Sequence, residues 1–253
     1  MILQKIVEDY SPKAEGLTIT DIRIGLEYVG IELSNGNIGV SYLFKEDVGG
    51  CHHRKNAGGG FIGESAQNAI AWSLDMKDIL LSSIGIATIN ALTVPEEAPQ
   101  KNDKDGVEYM GITKNDVVGM VGYFRPMVPA LKKQCKELKI FERRLAGNEP
   151  DVYPDWAAYS LLPSCDIVIV SGTTQINKTQ DVVLSYCTGA REVAVLGPST
   201  IMYPDAYAGT RATLIAGAYA DPSLKKEIFT VVAQGGGGFH LLQFLRKYSI
   251  RLS

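Results

Sequence analysis

What this chain lacks narrows it before anything it contains. No stretch approaches the roughly 20 consecutive apolar residues that a bilayer-spanning helix needs, so no membrane association is expected. Residues 1–10 carry Lys5, Glu8 and Asp9 and no long apolar run, which does not read as a secretory leader. Cysteine is scarce: Cys51, Cys135, Cys165 and Cys187 are four residues in 253, and none are paired at C-x-x-C spacing. A chain of this length forms a core without disulfides, so free thiols and a cytoplasmic location are expected. Neither sign of charge dominates, with 25 Lys and Arg against 28 Asp and Glu and a formal net charge of −3. That balance disfavours a nucleic-acid surface. The nucleophile elbow G-x-S-x-G, the Walker A loop and H-E-x-x-H are all absent, which removes the usual support for serine hydrolase, P-loop and zincin chemistry.

What is present is ordinary globular material, 45% hydrophobic and 21% charged, enough for one large or two modest domains. Residues 2–10 read as a short amphipathic helix, with Ile2, Leu3, Ile6 and Val7 on one side. Residues 18–25, 28–34 and 38–43 are rich in Ile, Val, Leu and Tyr. Asn35-Gly36 between the last two suits a tight hairpin, because both residues tolerate φ > 0. The region predicts a three-stranded antiparallel meander. Apolar spacing then predicts a helix over 66–81 and a second over 83–92. Together these make an α+β N-terminal domain.

Residues 93–106 are charged, carry two prolines and lack apolar periodicity, as a linker does. The division expected is therefore 1–105 and 106–253. Beyond the linker the rhythm is strand and helix in alternation. Strands are predicted at 117–121, 138–141, 167–170, 193–196 and 212–219, and helices at 128–137, 154–161 and 181–186. Another helix is opened by Asp221-Pro222, with Asp as cap and Pro at the first helical position. This alternation predicts an α/β, Rossmann-like domain with a parallel sheet covered on both faces and ligands bound beyond the carboxyl ends of its strands. The meander is expected to form a unit separate from that sheet.

The candidate site residues follow from these strand ends. The first strand runs through Gly119 into Gly122-Tyr123-Phe124-Arg125. Glycine lets backbone approach a ligand, aromatic rings stack on planar groups, and Arg125 can fork onto a carboxylate or phosphate. The spacing is G-x-x-G and not the dinucleotide fingerprint, and a tight turn with a solvated arginine is the plainer reading. Glu142 lies about 20 residues further on, where an acid can accept from a ribose diol; pairing with Arg143 or Arg144 is the alternative. The loop after 167–170 offers Thr173, Thr174 and Asn177, whose polar groups can orient an oxygen-rich ligand or cap the next helix. Gly197, Pro198, Ser199 and Thr200 form a stiff wall after the next strand, with Tyr203 and Asp205 beyond, Asp205 more simply a cap. Gly235–Gly238 before His240 is permissive backbone, suited to a phosphate or to a hinge before a terminal helix. Adjacent residues point opposite ways and zinc ligands are usually spaced by two or more, so Cys51-His52-His53 reads as a polar loop and no metal site is assigned.

Taken in order, the segments SSIGIATINAL, VVGMVGYFRPM, KIFER, DIVIVSGTTQINKT, VAVLGPSTIMYP and GGGG resemble a heavy-metal chelation family. The resemblance covers most of the chain. It implies an enolase N-terminal-like first domain, a Rossmann-like second domain and a site between them, which brings Asn90 toward the second-domain loops; a helix C-cap is the alternative for Asn90. It also implies a small-molecule ligand: a chelated metal or metallophore-type precursor, or a pterin- or flavin-like heterocycle. An adenosine-containing cofactor is the reading that Glu142 adds, a non-catalytic chelate carrier is another, and homo-oligomerisation is compatible with all of them.

Overall fold

The computed structural model describes residues 1–49, 58–97, 106–144 and 149–252. Helix α1 (Ile2–Tyr10) buries Ile2, Leu3, Ile6 and Tyr10 along one side. Strands β1 (Ile19–Ile24), β2 (Tyr28–Leu33) and β3 (Ile38–Tyr42) pair antiparallel as a meander. The β2–β3 turn works as its residues predict: Gly36 has φ +83°, and the Asn35 side chain accepts from the Asn37 amide at 3.1 Å.

The helical stretch breaks differently from the spacing. Helix α2 (Ala66–Trp72) is capped by Ser65, and α3 (Ile79–Leu92) already includes residues assigned above to the first helix. Aspartates cause the break. Asp75 Oδ1 accepts from the amides of Lys77 at 2.6 Å and Asp78 at 2.7 Å, and Asp78 then caps α3 through Leu80 and Leu81. Side-chain acceptors that compete for backbone amides end one helix and begin the next.

The second half contains β4 (Val117–Val121), α4 (Val128–Gln134), β5 (Glu137–Phe141), β6 (Val152–Tyr153), α5 (Ala158–Leu161), β7 (Ile167–Ser171), α6 (Gln180–Tyr186), β8 (Glu192–Leu196), β9 (Leu214–Ala220), α7 (Lys225–Ala233), α8 (Gly238–Leu241) and β10 (Leu245–Arg251). Helix α4 stops short of the predicted 137 because the amides of Lys136 and Glu137 turn to the Asp116 carbonyl. The terminal helix expected after the glycine run is a single turn. The chain then becomes β10, antiparallel to β9 over its whole length.

The expected separation of meander and parallel sheet is corrected by the topology. The strands form one sheet in the order β1-β2-β3-β9-β8-β7-β4-β5-β6, with β10 on β9. Strand β9 outruns its parallel neighbour. It pairs with β8 through Leu214–Ala216 only, and its far end meets β3 at Ala220 opposite Ile38. The core is shared in the same way: Ile84, Ile86 and Ile89 of α3 pack in one cluster with Val168 and Val170 of β7. The other face of the parallel strands, including Val118, Met120, Ile167 and Ile169, packs in a second cluster with Val128 and Leu131 of α4. Strand β7 is buried at every position, as a strand covered on both faces requires.

Helix α3 lies so close to β3 that a Cβ on Gly39 would overlap the Ala87 carbonyl oxygen, whereas Gly36 faces open space. Gly39→Ala is therefore expected to cost about 3 kcal/mol or more by overpacking, and Gly36→Ala only about 1–2 kcal/mol for its left-handed backbone. Urea unfolding midpoints of the two variants check the order; equal losses contradict it.

Candidate functional site

In open α/β sheets ligands bind where adjacent strands send their connections opposite ways. Outward from β4 the chain adds β5 and β6 on one side, then β7, β8 and β9 on the other, so the reversal lies between β4 and β7. Strand β4 ends at Gly122, which has φ +90° and donates its amide to the Phe141 carbonyl at 3.0 Å. A Cβ on Gly122 would stand 2.9 Å from Ser171 Cβ, so glycine is required both by its backbone and by its neighbour. Strand β8 ends at Gly197, with φ +117°, and Phe124 reaches across to within 3.8 Å of the Cβ it lacks. Gly122, Phe124, Ser171 and Gly197 thus surround the reversal point.

The remaining predicted residues divide. Gly119 lies inside β4, and its missing side chain makes room for Leu162 and Cys165. Tyr123 donates to Glu149 at 2.9 Å and Arg125 lies 5.7 Å from its ring centroid. Glu142 directly follows β5, its amide bound to the Tyr153 carbonyl and its carboxylate accepting from the Arg144 amide at 3.3 Å. In the polar loop the side chains bond largely within the turn. Thr174 donates to the Ser171 carbonyl at 2.7 Å, Thr173 and Ser171 share a hydrogen bond of 2.8 Å, and Asn177 accepts from the Thr179 amide and hydroxyl.

Residues from the first half close one side. Asn90 Nδ2 donates to the Val40 carbonyl at 2.9 Å and to the Pro198 carbonyl at 3.4 Å. The Tyr42 amide donates to Ser199 Oγ at 2.8 Å. Thr200 is buried, with its hydroxyl packed against Gly172. Tyr203 ties the same loop to α1 through Asp9 at 2.9 Å. Asp205 falls inside the short turn Pro204–Tyr207, and His240 is exposed beside Phe239. Cys51, His52 and His53 lie outside the described residues. Among those described, no three His, Cys, Asp or Glu residues are placed to hold a metal ion, and Cys135, Cys165 and Cys187 are free and buried. No described helix is long and apolar enough to cross a membrane. Two hollows among the described residues lie elsewhere, one of about 450 Å³ beside Ile22, Phe61 and Leu80 and one of about 560 Å³ beside Trp72 and Asp75.

Two features have no local signature. Tyr42 stands edge-on to Tyr28 at 5.7 Å and to Phe44 at 5.2 Å. Burial and then the Glu27 carboxylate push its phenol above the ordinary range. Lys178 is the one non-glycine residue with positive φ among those described, at 65°. Its ammonium donates to Ser82 Oγ and to the Ile176 carbonyl, and burial lowers its pKa to about 8 against the opposing pull of Asp75.

Two outcomes follow from these loops. Thr174→Val should lower stability by about 0.5–1.5 kcal/mol, the worth of one neutral hydrogen bond, seen as a lower thermal midpoint. For Lys178 the unfolded chain keeps its proton up to 10.5 while the folded chain releases it near 8. Between those values the unfolded state binds more protons, so this group makes stability rise with pH. The thermal midpoint of the wild type minus that of Lys178→Met should climb from pH 8 to 10.5; a flat or falling difference contradicts the burial of this amine.

Two solved structures share the fold. Both are proteins with unknown function from the DUF364 family. The one from Pyrococcus horikoshii has a TM-score of 0.84 at 23% identity, covering 100% of both chains. The one from Desulfitobacterium hafniense DCB-2 has a TM-score of 0.74 at 21% identity, covering 98% of each. An uncharacterized protein of Methanocaldococcus jannaschii is 32% identical over 227 residues, 85% of each chain. Two family models, both described as "Putative heavy-metal chelation", match residues 105–251 (DUF364) and 7–93 (DUF4213). With more than half its length matched by the first model and the rest largely by the second, the chain belongs to the DUF364 heavy-metal chelation family.

Proposed function

We propose that the protein binds and transforms a small polar heterocycle or metallophore-type precursor in the crevice between the halves 1–105 and 106–253, and that this is its part in heavy-metal chelation. What supports the reading is the pair of left-handed glycines, Gly122 and Gly197, just after β4 and β8, with the Phe124 ring beside Gly197. Backbone without side chains beside an aromatic face suits a flat ligand. Glu142 and Asn90 supply polar edges, with Pro198, Ser199 and Thr200 as the opposite wall. Thr173 and Asn177 border the site, and Tyr123 and Arg125 flank its outer rim. The reaction class is condensation, hydrolysis or group transfer.

A second reading is an adenosine-containing cofactor such as S-adenosylmethionine. It is favoured by Glu142, which follows β5 next to β4, where a ribose-binding acid stands in dinucleotide folds.

Mass spectrometry of the purified protein tests the first reading. A flat, ultraviolet-absorbing compound should accompany the wild type and be lost from Phe124→Ala. Retention by that variant, or no such compound in either, counts against it. A compound that survives prolonged incubation unchanged makes the protein a carrier. For the second reading, calorimetric titration with S-adenosylmethionine and adenosine should show binding that Glu142→Ala weakens by about 1.5–3 kcal/mol per lost charged hydrogen bond. No heat with either removes the adenosine reading.

A further inference from the structure

We infer that residues 42–46 form a strap across the carboxyl ends of β8, β7, β4 and β5, hinged at Tyr42 and latched by the Arg144–Glu46 ion pair, which opens and closes the crevice over its ligand. The inference rests on the proposed use of that crevice, but its geometry stands apart from any ligand.

The two ends of the strap are fixed to different strands. At one end the Tyr42 amide donates to Ser199 Oγ, just after β8. At the other, Glu46 pairs with Arg144 at 2.7 Å, just after β5. Between β8 and β5 lie only β7 and β4, the strands that flank the reversal point. Three inter-strand steps of about 4.8 Å span about 14 Å, and four residue steps extend at most about 14 Å. Because Lys45–Asp47 is wound into a turn, the strap falls short of that limit, and the long Arg144 side chain supplies the rest. The segment therefore bridges the loops that follow β8 and β5, with β7 and β4 between them and the Leu43 amide held by the Glu27 carbonyl at 2.7 Å.

The two anchors differ in kind. Ser199 is 1% exposed and its bond to Tyr42 is shielded. The latch is wet, with the side chains of Arg144 and Glu46 at 40% and 50% exposure. Exposed ion pairs are weak and screened by salt. One end therefore holds while the other releases, as a hinge and a catch do. Tyr42 sits at the hinge with its ring pinned by Tyr28 and Phe44, and its hydroxyl has no hydrogen-bond partner among the described residues. Burial and the nearby carboxylates of Glu27, Glu46 and Glu142 raise the pKa of that phenol against the opposing pull of Arg144, so it stays protonated. It is thus a donor, suited to a carbonyl or ring-nitrogen acceptor on the ligand.

Hydrogen–deuterium exchange on the full-length protein tests the latch without a ligand. The amides of Lys45 and Asp47, bonded to the carbonyls of Leu43 and Phe44, report on the strap. In Glu46→Gln they should exchange about two- to fivefold faster, the range a surface ion pair supports. The Tyr42 amide should stay protected. The exchanged pair Glu46→Arg with Arg144→Glu should restore slow exchange, and about 1 M salt should speed the wild type but not Glu46→Gln. Nitration by tetranitromethane should reach Tyr42 faster in Glu46→Gln, with buried Tyr28 as the unreactive reference. Equal exchange in wild type and Glu46→Gln at low salt, or no recovery in the exchanged pair, overturns the latch. Equal nitration of Tyr42 overturns its place under the strap. A negative result on copurifying compounds alters neither measurement, so the two proposals fail separately.

Discussion

Strand β3 meets a constraint that the sheet cannot satisfy by itself. Alternate residues of a strand offer their amide and carbonyl to the same edge. On β3 the edge away from β2 is served by residues 38, 40 and 42. Ile38 finds Ala220 of β9, and there the pairing ends. The Val40 carbonyl and the Tyr42 amide would be left as buried, unpaired backbone, which folded proteins rarely tolerate. Asn90 answers the first and Ser199 the second. Asn90 then uses its amino group again for Pro198. The seam that completes β3 is therefore the same seam that fixes the β8 loop at the crevice.

This dual use explains the polarity of residues that look like ligand contacts. Ser199, Thr174 and Asn177 are polar because backbone groups near them need partners. A hydroxyl beside the carboxyl end of a strand serves a turn and a ligand with the same chemistry, and residue type alone does not separate the two. The glycines differ by position: Gly122 and Gly197 follow strand ends with left-handed backbones, while the space beside Gly119 is filled by Leu162 and Cys165.

Local pattern made much of the fold readable. The meander, the Asn35-Gly36 turn, the cap at Asp221 and the buried run of β7 all follow from short-range rules, whereas the break at Asp75 and the cap at Asp78 were hidden by apolar spacing that ran through them. The continuity of the sheet does not, because the pairing of Ile38 with Ala220 joins residues far apart in the chain. Strand β10, LRKYSIR, carries three cationic residues and follows a glycine run, so its alternation was masked by a hinge-like prelude. Strand β6 has two residues, below any periodicity. At the candidate site, the placement of Gly122, Glu142 and the 197–200 loop just after strands was legible. Tyr42 and Arg144 were not, since each gains its meaning only from a neighbour supplied by the other half.

The long strand β9 also orders events during synthesis. A ribosome delivers the meander and α3 well before residues 214–220, so the edge of β3 emerges with its eventual partner still untranslated. Chains grow at about 5–20 residues per second, and an unpaired strand edge exposed for that long invites pairing with other nascent chains. Asn90, only a short way downstream and on the helix that covers β3, is already present to occupy the Val40 carbonyl. The first half thus carries its own guard for the open edge until the last strands arrive to take their places.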